Sequence, residues 1–389
     1  MKKILGLILE LNPFHLGHAY FISEAKKRVQ PDLTIAVLSG NFSMRGDMMV
    51  IDKWTRSKLA LDFGIDLIME IPYLSSVGSA DYFCTNAVQI LLDMNITDIA
   101  FGVELDNLAK LKEILAIQDN PLYDSYIKNY LDLGHSYSAS HYKAMQHFSN
   151  DLFLLDNMRL PNNTLALGYL KAIIRQNKKV EVTCIKRIAN QYYDEDLVDE
   201  KINSATSLRN LLENYQDIRP YTPNIDYPYI DLKKAKANMF FLTQYLFTVK
   251  PLSSIAKCLG IKEGIENRIK KIITQVSSYD ELIQKVQTRR YPANRIKRLL
   301  LNILLDISQE SEYTNPYYLR ILAMNEKGKL YVNHLPKETK SNIITSFKNQ
   351  ESTLVQIEWQ ASCLYGLLTD QTDIAFNEFK IPIIKGENA

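Results

Sequence analysis

The sequence predicts an α/β fold in which a doubly wound parallel sheet of five strands is followed by a helix-rich C-terminal domain. Over the first half of the chain, short apolar runs alternate with segments whose apolar residues recur at helical spacing. This alternation is typical of βαβ units, whose right-handed crossovers place helices on both faces of a sheet. Ligands of such sheets bind beyond the carboxyl ends of the strands, so we expect a site among the loops at that edge.

Five apolar runs are the predicted strands. They cover residues 4–9, 33–38, 66–72, 99–104 and 180–185. Each run has the length and the branching of a strand that is buried on both faces. Helices are predicted between them, beginning near Leu16, Asp52 and Ala80, and a polar helical region covers residues 108–147.

A proline-rich stretch predicts the domain boundary. Pro220, Pro223 and Pro228 are separated by polar residues and show no helical period. We therefore assign residues 1–218 to an N-terminal domain and residues 219–389 to a C-terminal domain, because a chain of 389 residues usually holds two domains. Helices are predicted in the second domain at residues 232–249, 265–276, 279–287 and 294–307.

Charge and cysteine content argue against several classes of protein. The net charge is +2, so a nucleic-acid partner must bind to a local basic patch. Cys84, Cys184, Cys258 and Cys363 lie far apart without a CxxC pair, which argues against a zinc site or a disulfide framework and fits a reducing cytoplasm. The basic first residues lack the apolar region of a signal peptide, and no stretch is long enough to span a bilayer. We expect a soluble cytoplasmic protein with no membrane partner.

The turn after the first strand carries the strongest functional signal. His15, Gly17 and His18 follow the end of that strand and open the first predicted helix. A strand, a tight turn and a helix start direct free N–H groups and the positive end of the helix dipole at one point, which is an anion site. The two imidazoles, three residues apart, face the same way on a first helical turn. Such donors can stabilise an in-line displacement at an α-phosphate.

A simpler interpretation of this turn is that His15 caps the helix and His18 is a hydrogen-bonded core histidine. The other central histidines have a different pattern: His135, His141 and His147 are six residues apart, the wrong phase for one helix face. We expect these three to be structural, and the sequence predicts no metal site.

Other polar segments lie where a nucleotide site could use them. Asn162 and Asn163 precede a helix and either cap it or bind ribose hydroxyls or purine edges. Arg187 follows the fifth strand. The segment 204–209, Ser-Ala-Thr-Ser-Leu-Arg, opens a further helix and is either a capping run or a second phosphate clamp.

Basic residues concentrate near the start of the last helix predicted in the C-terminal domain. Arg289, Arg290, Arg295 and Arg298 flank Tyr291 with few acidic residues between them. Charged residues opposite an apolar stripe are usually a solvated helix face. Arginines clustered beside an aromatic residue also favour binding to nucleic acid, so both interpretations stay open.

These motifs resemble those of known enzymes. His15-Leu16-Gly17-His18 resembles the HxGH signature of the nucleotidylyltransferases and class I aminoacyl-tRNA synthetases, and the segment 204–209 is similar to an ISSTxxR element of the nucleotidylyltransferases that closes over triphosphates. A wider set of motifs resembles the bacterial tRNA(Met) cytidine acetate ligases. It comprises residues 10–18 (ELNPFHLGH), Gly40-Asn41-Phe42, Arg45-Gly46, Asp52-Lys53-Trp54, Phe101-Gly102-Val103-Glu104, Pro161-Asn162-Asn163 and residues 295–302 (RIKRLLLN).

The resemblance implies an ATP-dependent ligase that makes acetyl-adenylate and passes the acetyl group to the wobble cytidine of elongator tRNA(Met), giving acetylcytidine. ATP, acetate and tRNA are then the substrates, and His15 and His18 are the catalytic residues that hold the phosphates. The implied ATP-binding residues are Leu7, Ile8, Leu9, Glu10, Leu11, Asn12, Pro13, Phe14, His15, Leu16, Gly17, His18, Ala19, Tyr20, Gly102, Asn162 and Arg187. The expected tRNA-binding residues are Arg289, Arg290, Arg295 and Arg298. Mg²⁺ is compatible with a triphosphate, although no acidic cluster indicates a dedicated site.

The chain departs from the family pattern at Met44, where Gln is frequent, and at residues 189–191, where a glycine-rich run is frequent. No Ser–His or Cys–His pair indicates a covalent acyl-enzyme, so direct transfer from the adenylate is expected. Two other functions fit parts of the sequence. A small-metabolite nucleotidylyltransferase fits the N-terminal half, and an RNA-binding protein on a degenerate nucleotide fold fits the basic C-terminal half.

Overall fold

The central sheet is assembled from both halves of the chain. The computed structural model describes residues 2–187, 204–223, 227–309 and 317–386. In these residues the strands are β1 (Ile4–Leu9), β2 (Leu33–Ser39), β3 (Leu67–Ile71), β4 (Asp98–Val103), β5 (Glu181–Lys186), β6 (Leu319–Asn325), β7 (Ile343–Ile344) and β8 (Ile383–Lys385). The 189–191 segment of the family comparison lies outside the described residues.

The five predicted strands are confirmed as a parallel array. Their order is β5-β4-β1-β2-β3, with every neighbouring pair parallel. All five carboxyl ends therefore lie at one edge of the sheet. The direction of strand addition reverses between β1 and β4, which is the switch point where α/β sheets bind their ligands.

The predicted number of strands was too low. β6 pairs antiparallel with β3, and β7 and β8 each pair parallel with β6. Arg320 interrupts the apolar run of β6 near its start, and β7 and β8 are two and three residues long, so none shows a strong strand period. These strands extend the sheet with residues that follow the predicted boundary near residue 219. The division into two domains stays a prediction.

The helices occupy both faces of the sheet and most of the C-terminal half. Their bounds are α1 (Leu16–Val29), α2 (Lys53–Asp62), α3 (Tyr73–Ser76), α4 (Ala80–Asp93), α5 (Leu108–Gln118), α6 (Pro121–Asp132), α7 (Tyr137–Gln146), α8 (Leu152–Asn157), α9 (Pro161–Arg175), α10 (Ala205–Glu213), α11 (Leu232–Val249), α12 (Leu252–Ile255), α13 (Ile265–Ile273), α14 (Tyr279–Val286), α15 (Ala293–Leu304), α16 (Glu326–Asn333), α17 (Lys337–Ser341) and α18 (Thr353–Thr369). Short 3₁₀ helices cover Arg219–Tyr221 and Thr372–Phe379. The predicted helix at 232–249 has the bounds of α11, whereas α18 was not predicted. No helix in the described ranges is long and apolar enough to cross a membrane.

Two apolar cores lie on opposite faces of the sheet. Along β1, Leu5, Leu7 and Leu9 point into one core and Ile4 into the other, as the two-residue period of a strand requires. The first core contains α1, α2 and residues of the C-terminal helices α11, α13, α14, α15 and α18. The second contains α4 to α9. The C-terminal helices therefore pack on the face of the sheet that carries α1.

A buried ion cluster fixes α18 to the sheet. Lys53 of α2 contacts Glu70 of β3, Glu358 of α18 at 3.0 Å and Glu378 at 2.7 Å. Arg320 of β6 contacts Glu70 at 3.0 Å and also Glu378. All five side chains are buried, and burial beside Glu70 raises the pKa of Glu358 to about 7. Removing one member of such a cluster leaves an uncompensated charge in the core, which is strongly destabilising.

Candidate active site

The turn between β1 and α1 packs on the apolar core and is hydrogen-bonded to the segment that precedes α2. Leu11 is fully buried and adopts a left-handed conformation with φ of 56°, which is strained for a residue with a Cβ atom. Asn12 accepts a hydrogen bond from the Val50 N–H at 2.8 Å. Phe14 is buried in the same core. Strain that the surroundings maintain in this way concentrates at functional sites.

His15 and His18 form a capping box at the start of α1. His15 Nδ1 accepts from the Gly17 N–H at 3.0 Å, and His18 Nδ1 accepts from the His15 N–H at 3.3 Å. The simpler interpretation is therefore correct in part, since His15 does cap the helix. Because Nδ1 is the acceptor in both rings, each neutral imidazole carries its proton on Nε2 and can donate from that atom.

The Nε2 atom of His15 is buried and has no hydrogen-bond partner in the described part of the chain. The two rings lie with centroids 3.9 Å apart. Burial, with Arg187 and Arg209 nearby, lowers the pKa of His15 to about 4, and burial beside His15 lowers the pKa of His18 well below its ordinary value. Both histidines are thus neutral donors at pH 7. A buried donor without a partner is costly, and at a helix start beside two arginines it marks a candidate site for an anion.

The β4 and β5 side of the turn carries a second group of predicted residues. A Cβ atom on Gly102 would lie 3.4 Å from Cγ of Arg187, so the arginine side chain extends across the glycine. Arg187 donates to Oδ1 of Asn162 at 3.0 Å. Glu104 accepts from the Asn162 amide and from the backbone N–H groups of Asn162 and Asn163. The structure therefore brings Gly102, Asn162 and Arg187 together beside the switch point.

The two adjacent asparagines have different roles. Asn163 is fully buried, and its Oδ1 accepts from the N–H groups of Glu104 and Leu105 at 3.0 Å each. Its amide donates to the Asn157 carbonyl, so Asn163 is structural. Asn162 is half-buried and contacts Arg187. Of the two, Asn162 is therefore the candidate ligand contact.

The β2 side of the turn is tied to β1 by one buried guanidinium. Arg56 donates to the carbonyl groups of Glu10 at 2.8 Å, Ser39 at 3.0 Å and Ile51 at 2.9 Å, and also to that of Gly40. Burial lowers the pKa of Arg56 to about 10, so it remains charged at pH 7. Arg56 thus fixes the ends of β1 and β2 relative to each other.

The segment 204–209 lies against the turn. Ser204 caps α10 by accepting from the Ser207 N–H at 3.1 Å. Arg209 donates to the Asn12 carbonyl at 2.8 Å and to the Thr206 hydroxyl at 3.2 Å. The capping interpretation is correct for Ser204. Arg209 is half-buried near His15 and does not simply extend into solvent.

The four arginines of the basic cluster are not equivalent. Arg289 and Arg290 are exposed, and Arg290 pairs with Glu263 at 2.9 Å. Arg295 lies over the ring of Tyr291, with 3.9 Å from its guanidinium carbon to the ring centroid. Arg298 is half-buried and donates to the Met44 carbonyl at 3.1 Å. Arg298 therefore supports the loop after β2, while the other three face outward or stack.

The remaining predicted residues of the turn form its walls. Leu7, Leu9, Leu11 and Phe14 are buried in the core, and Leu16, Ala19 and Tyr20 belong to the first turns of α1. These side chains shape the turn. His135, His141 and His147 lie in the α6–α7 region, where His141 and His147 contact tyrosines. In the described ranges, no group of three or more His, Cys, Asp or Glu side chains is placed to hold a metal ion.

Two residues of the site were missed as functional from the sequence. Arg56 is one. It shares a buried face of α2 with Lys53, Ser57 and Ala60, and two cations on one helix face were the sequence signal that could have identified it. Glu104 is the other, because a carboxylate at the end of a strand was read only as part of a motif. Both act by positioning the residues that meet the ligand.

Comparisons with known proteins show which sequences this chain resembles. A family model described as HIGH Nucleotidyl Transferase matches residues 1–378. A tRNA(Met) cytidine acetate ligase of Caldicellulosiruptor saccharolyticus is 33% identical over 382 residues, covering 94% of each protein. One from Staphylococcus saprophyticus is 32% identical over 394 residues, covering 98% of this chain and 100% of the relative.

Two crystal structures are similar over almost the whole chain. Thermotoga maritima TmcAL in its apo form I superposes with a TM-score of 0.86 at 26% identity, covering 99% of this chain and 100% of that one. The same protein bound with alpha-thio ATP superposes with a TM-score of 0.84 over the same shares of the two chains. The likeness therefore extends to a structure whose site holds an ATP analogue.

Proposed function

Because this chain belongs to the tRNA(Met) cytidine acetate ligase family, within the HIGH nucleotidyl transferases, we propose that it acetylates the wobble cytidine of elongator tRNA(Met) in the cytoplasm. ATP and acetate are its other substrates. The observation that supports this best is the buried Nε2–H of His15, which has no partner in the described chain. A phosphate oxygen is the acceptor that a helix N-terminus favours.

In the first step, an acetate oxygen attacks the α-phosphorus of ATP. The bond from that phosphorus to the bridging oxygen breaks, and pyrophosphate leaves with the electron pair. His15 and His18 donate from Nε2 to the α-phosphate oxygens as their charge rises, and they need no proton transfer to do so. Arg187 and Arg209 supply positive charge near His15.

In the second step, the cytidine amine attacks the carbonyl carbon of acetyl-adenylate. The C–N bond forms, the acyl C–O bond breaks, AMP leaves with the electron pair, and the nitrogen loses one proton to solvent. Adenylation is needed because a carboxylate has no good leaving group and the cytidine amine is a weak nucleophile. Holding the two groups in contact supplies much of the acceleration.

We assign the ATP site to the segment 7–20 together with Gly102, Asn162 and Arg187. In this assignment the glycine and the asparagine, on the β4 side, receive the nucleoside, and the turn receives the phosphates. Mg²⁺ would enter with the phosphates of ATP, since the described residues offer no preformed acidic site.

We assign tRNA binding to the C-terminal domain of residues 219–389, with Arg289, Arg290 and Arg295 contacting phosphates. The net charge of +2 makes such local contacts the main electrostatic contribution. The anticodon loop is single-stranded, so its bases can leave the stack and reach the site. Arg298 is part of the same cluster in sequence, and we assign it mainly to the loop that carries Met44.

The test is acetate-dependent exchange of labelled pyrophosphate into ATP, followed by transfer of labelled acetate to tRNA. The account predicts exchange with acetate in the absence of tRNA and acetyl label in tRNA when it is added. A metabolite nucleotidylyltransferase would instead retain AMP on its product. An RNA-binding protein without activity would show neither exchange nor label, and either result would contradict the proposal.

A further inference from the structure

A cleft lies next to the turn, and neither Gly102 nor Asn162 is among its lining residues. It lies between the loop after β2, the helix α10 and the C-terminal helices α11, α14 and α15, and it encloses about 200 Å³. That volume suits a single nucleobase and is smaller than the pockets of drug-sized ligands. None of the residues assigned to ATP above lines the cleft, although Arg209 of the lining lies near His15.

The cleft shares a wall with the catalytic turn. Arg209 lines the cleft, and its guanidinium donates to the carbonyl of Asn12 in the turn at 2.8 Å. Met48 also lines it, and the carbonyl of Met48 accepts from the Asn12 amide at 3.5 Å. A group bound in the cleft is therefore next to the residues that hold the α-phosphate.

Most charges that line the cleft are neutralised in pairs. Lys297 pairs with Asp47 at 2.7 Å, and Lys236 pairs with Glu213 at 2.6 Å. The remaining cations of the lining are Arg45 and Arg209, and both donate to the hydroxyl of Thr206 in α10. Two of the four lining cations thus have carboxylate partners, and these carboxylates would repel a polyphosphate.

The remaining lining is apolar or amide-bearing. Its apolar wall is formed by Leu232, Met239 and Leu301. The amide groups of Asn210 and Asn294 are not engaged by another side chain in the described chain, and both residues are exposed at the cleft. An apolar wall with free amide groups beside it suits the face and the edge of an unstacked base.

We propose that this cleft receives the acceptor pyrimidine of the RNA, with its exocyclic amine directed past Arg209 at the acyl-adenylate. This inference rests on the proposed function and adds the binding site of the second substrate. In the transfer, the amine nitrogen forms the C–N bond, AMP leaves with the electrons of the acyl C–O bond, and one proton goes to solvent. The two substrates then meet at the turn, which suits direct transfer without an acyl-enzyme.

The experiment is to fill the cleft from its rim with Asn294→Trp. Asn294 lies at the exposed start of α15, so the larger side chain need not enter the core. Acetate-dependent pyrophosphate exchange is measured without tRNA, tRNA affinity is measured by filter binding, and acetyl transfer is measured at saturating tRNA. The control is Asn129→Trp, which changes an exposed asparagine of α6 remote from the cleft lining.

For Asn294→Trp we expect exchange and tRNA affinity close to those of the wild type and a loss of acetyl transfer of about 10²-fold, the usual effect of misplacing a reacting group. Asn294→Ala should lower transfer less, by about tenfold, because it removes one hydrogen bond without blocking the cleft. Unchanged transfer in both variants would overturn the inference. So would a parallel loss of exchange, which would place the cleft in the adenylation step, or a parallel loss of tRNA affinity, which would make it a backbone contact. Absence of exchange in the wild type would instead contradict the proposed function.

Discussion

His15 and His141 have similar local properties and very different surroundings. Burial lowers the pKa of each to about 4. The Nε2 atom of each is buried without a hydrogen-bond partner in the described chain. Each also has an aromatic neighbour, His18 for His15 and Tyr137 for His141. On these properties alone the two histidines could not be told apart.

The difference lies in what converges on each ring. His15 begins α1 at the carboxyl edge of the sheet, with Arg187 and Arg209 near it. His141 lies in the middle of α7, where its Nδ1 is 3.2 Å from the Tyr123 hydroxyl and no free helix N-terminus is available. A buried neutral histidine is thus a common structural feature. Its position among helix amides and cations makes it a candidate anion ligand.

The largest effect is expected when His15 and His141 are replaced by alanine in two separate variants. His15→Ala should lower acetate-dependent pyrophosphate exchange by about 10²–10³-fold, as removal of one oxyanion donor does in other enzymes. It should leave tRNA affinity nearly intact, because His15 is buried and is not among the residues assigned to tRNA. His141→Ala is the matched control and should keep exchange near the wild-type level. Equal losses in the two variants would break the distinction between them.

A smaller effect should follow from removing the cation beside His15. Arg187→Ala should raise the KM for ATP by about ten- to a hundredfold, the value of one charge-assisted hydrogen bond. Arg187→Lys should restore part of this, since the charge returns without the contact to Asn162. Lys171, the cation near His141, is the control, and Lys171→Ala should leave the KM unchanged. A similar rise for both would show that the positive charge acts only at long range.

The arginine cluster should separate tRNA binding from adenylation. Arg289→Ala combined with Arg290→Ala should weaken tRNA binding and reduce the slope of log affinity against log salt by about 1.4–1.8, for two lost phosphate contacts. Pyrophosphate exchange without tRNA should be unaffected. Arg298→Ala should instead lower exchange, because the contact to the Met44 carbonyl is lost. Filter binding over a salt series and exchange assays measure the two effects, and a steeper salt slope in the double variant would argue against phosphate contacts.

The smallest effect concerns the free energy of unfolding in acid, to which His15 and His141 should make similar contributions. An unfolded histidine takes up a proton near pH 6.5, whereas folded His15 and His141 do so near pH 4. The unfolded state therefore binds more protons between these values, and the free energy of unfolding falls as the pH falls from 6.5 towards 4. His15→Gln and His141→Gln should each reduce the loss between pH 7 and pH 5 by about 1–2 kcal/mol. Urea unfolding at the two pH values measures this, and an unchanged loss in His15→Gln would mean that His15 is charged in the folded protein.

The N-terminal sheet and its turn could be predicted because their signals are local. A buried parallel strand is a continuous apolar run, and the start of α1 follows from the turn residues before it. The positions of β6 and α18 could not be predicted in this way. Each is fixed by contacts between residues distant in sequence, Arg320 of β6 with Glu70 and Glu358 of α18 with Lys53. A charged residue in a strand also weakens the apolar pattern of that strand.

The same limit applies to the residues of the candidate site. The two histidines were predicted because strand, turn and helix place them together over a few residues. The separate roles of Asn162 and Asn163 were not, because only the packing of α9 against β4 decides which side chain is buried. Arg298 was grouped with the other arginines by sequence, while its contact to Met44 depends on how the two halves of the chain pack.

The most direct test of the central claim follows oxygen from acetate to the products. Acetate labelled with ¹⁸O in both oxygens is incubated with ATP, tRNA and the enzyme, and the products are analysed by mass spectrometry. Attack of acetate on the α-phosphorus at the His15–His18 turn predicts AMP that carries one labelled oxygen, unlabelled pyrophosphate, and one acetylcytidine for each AMP. Formation of ADP with labelled phosphate, or of AMP without label, would contradict the account.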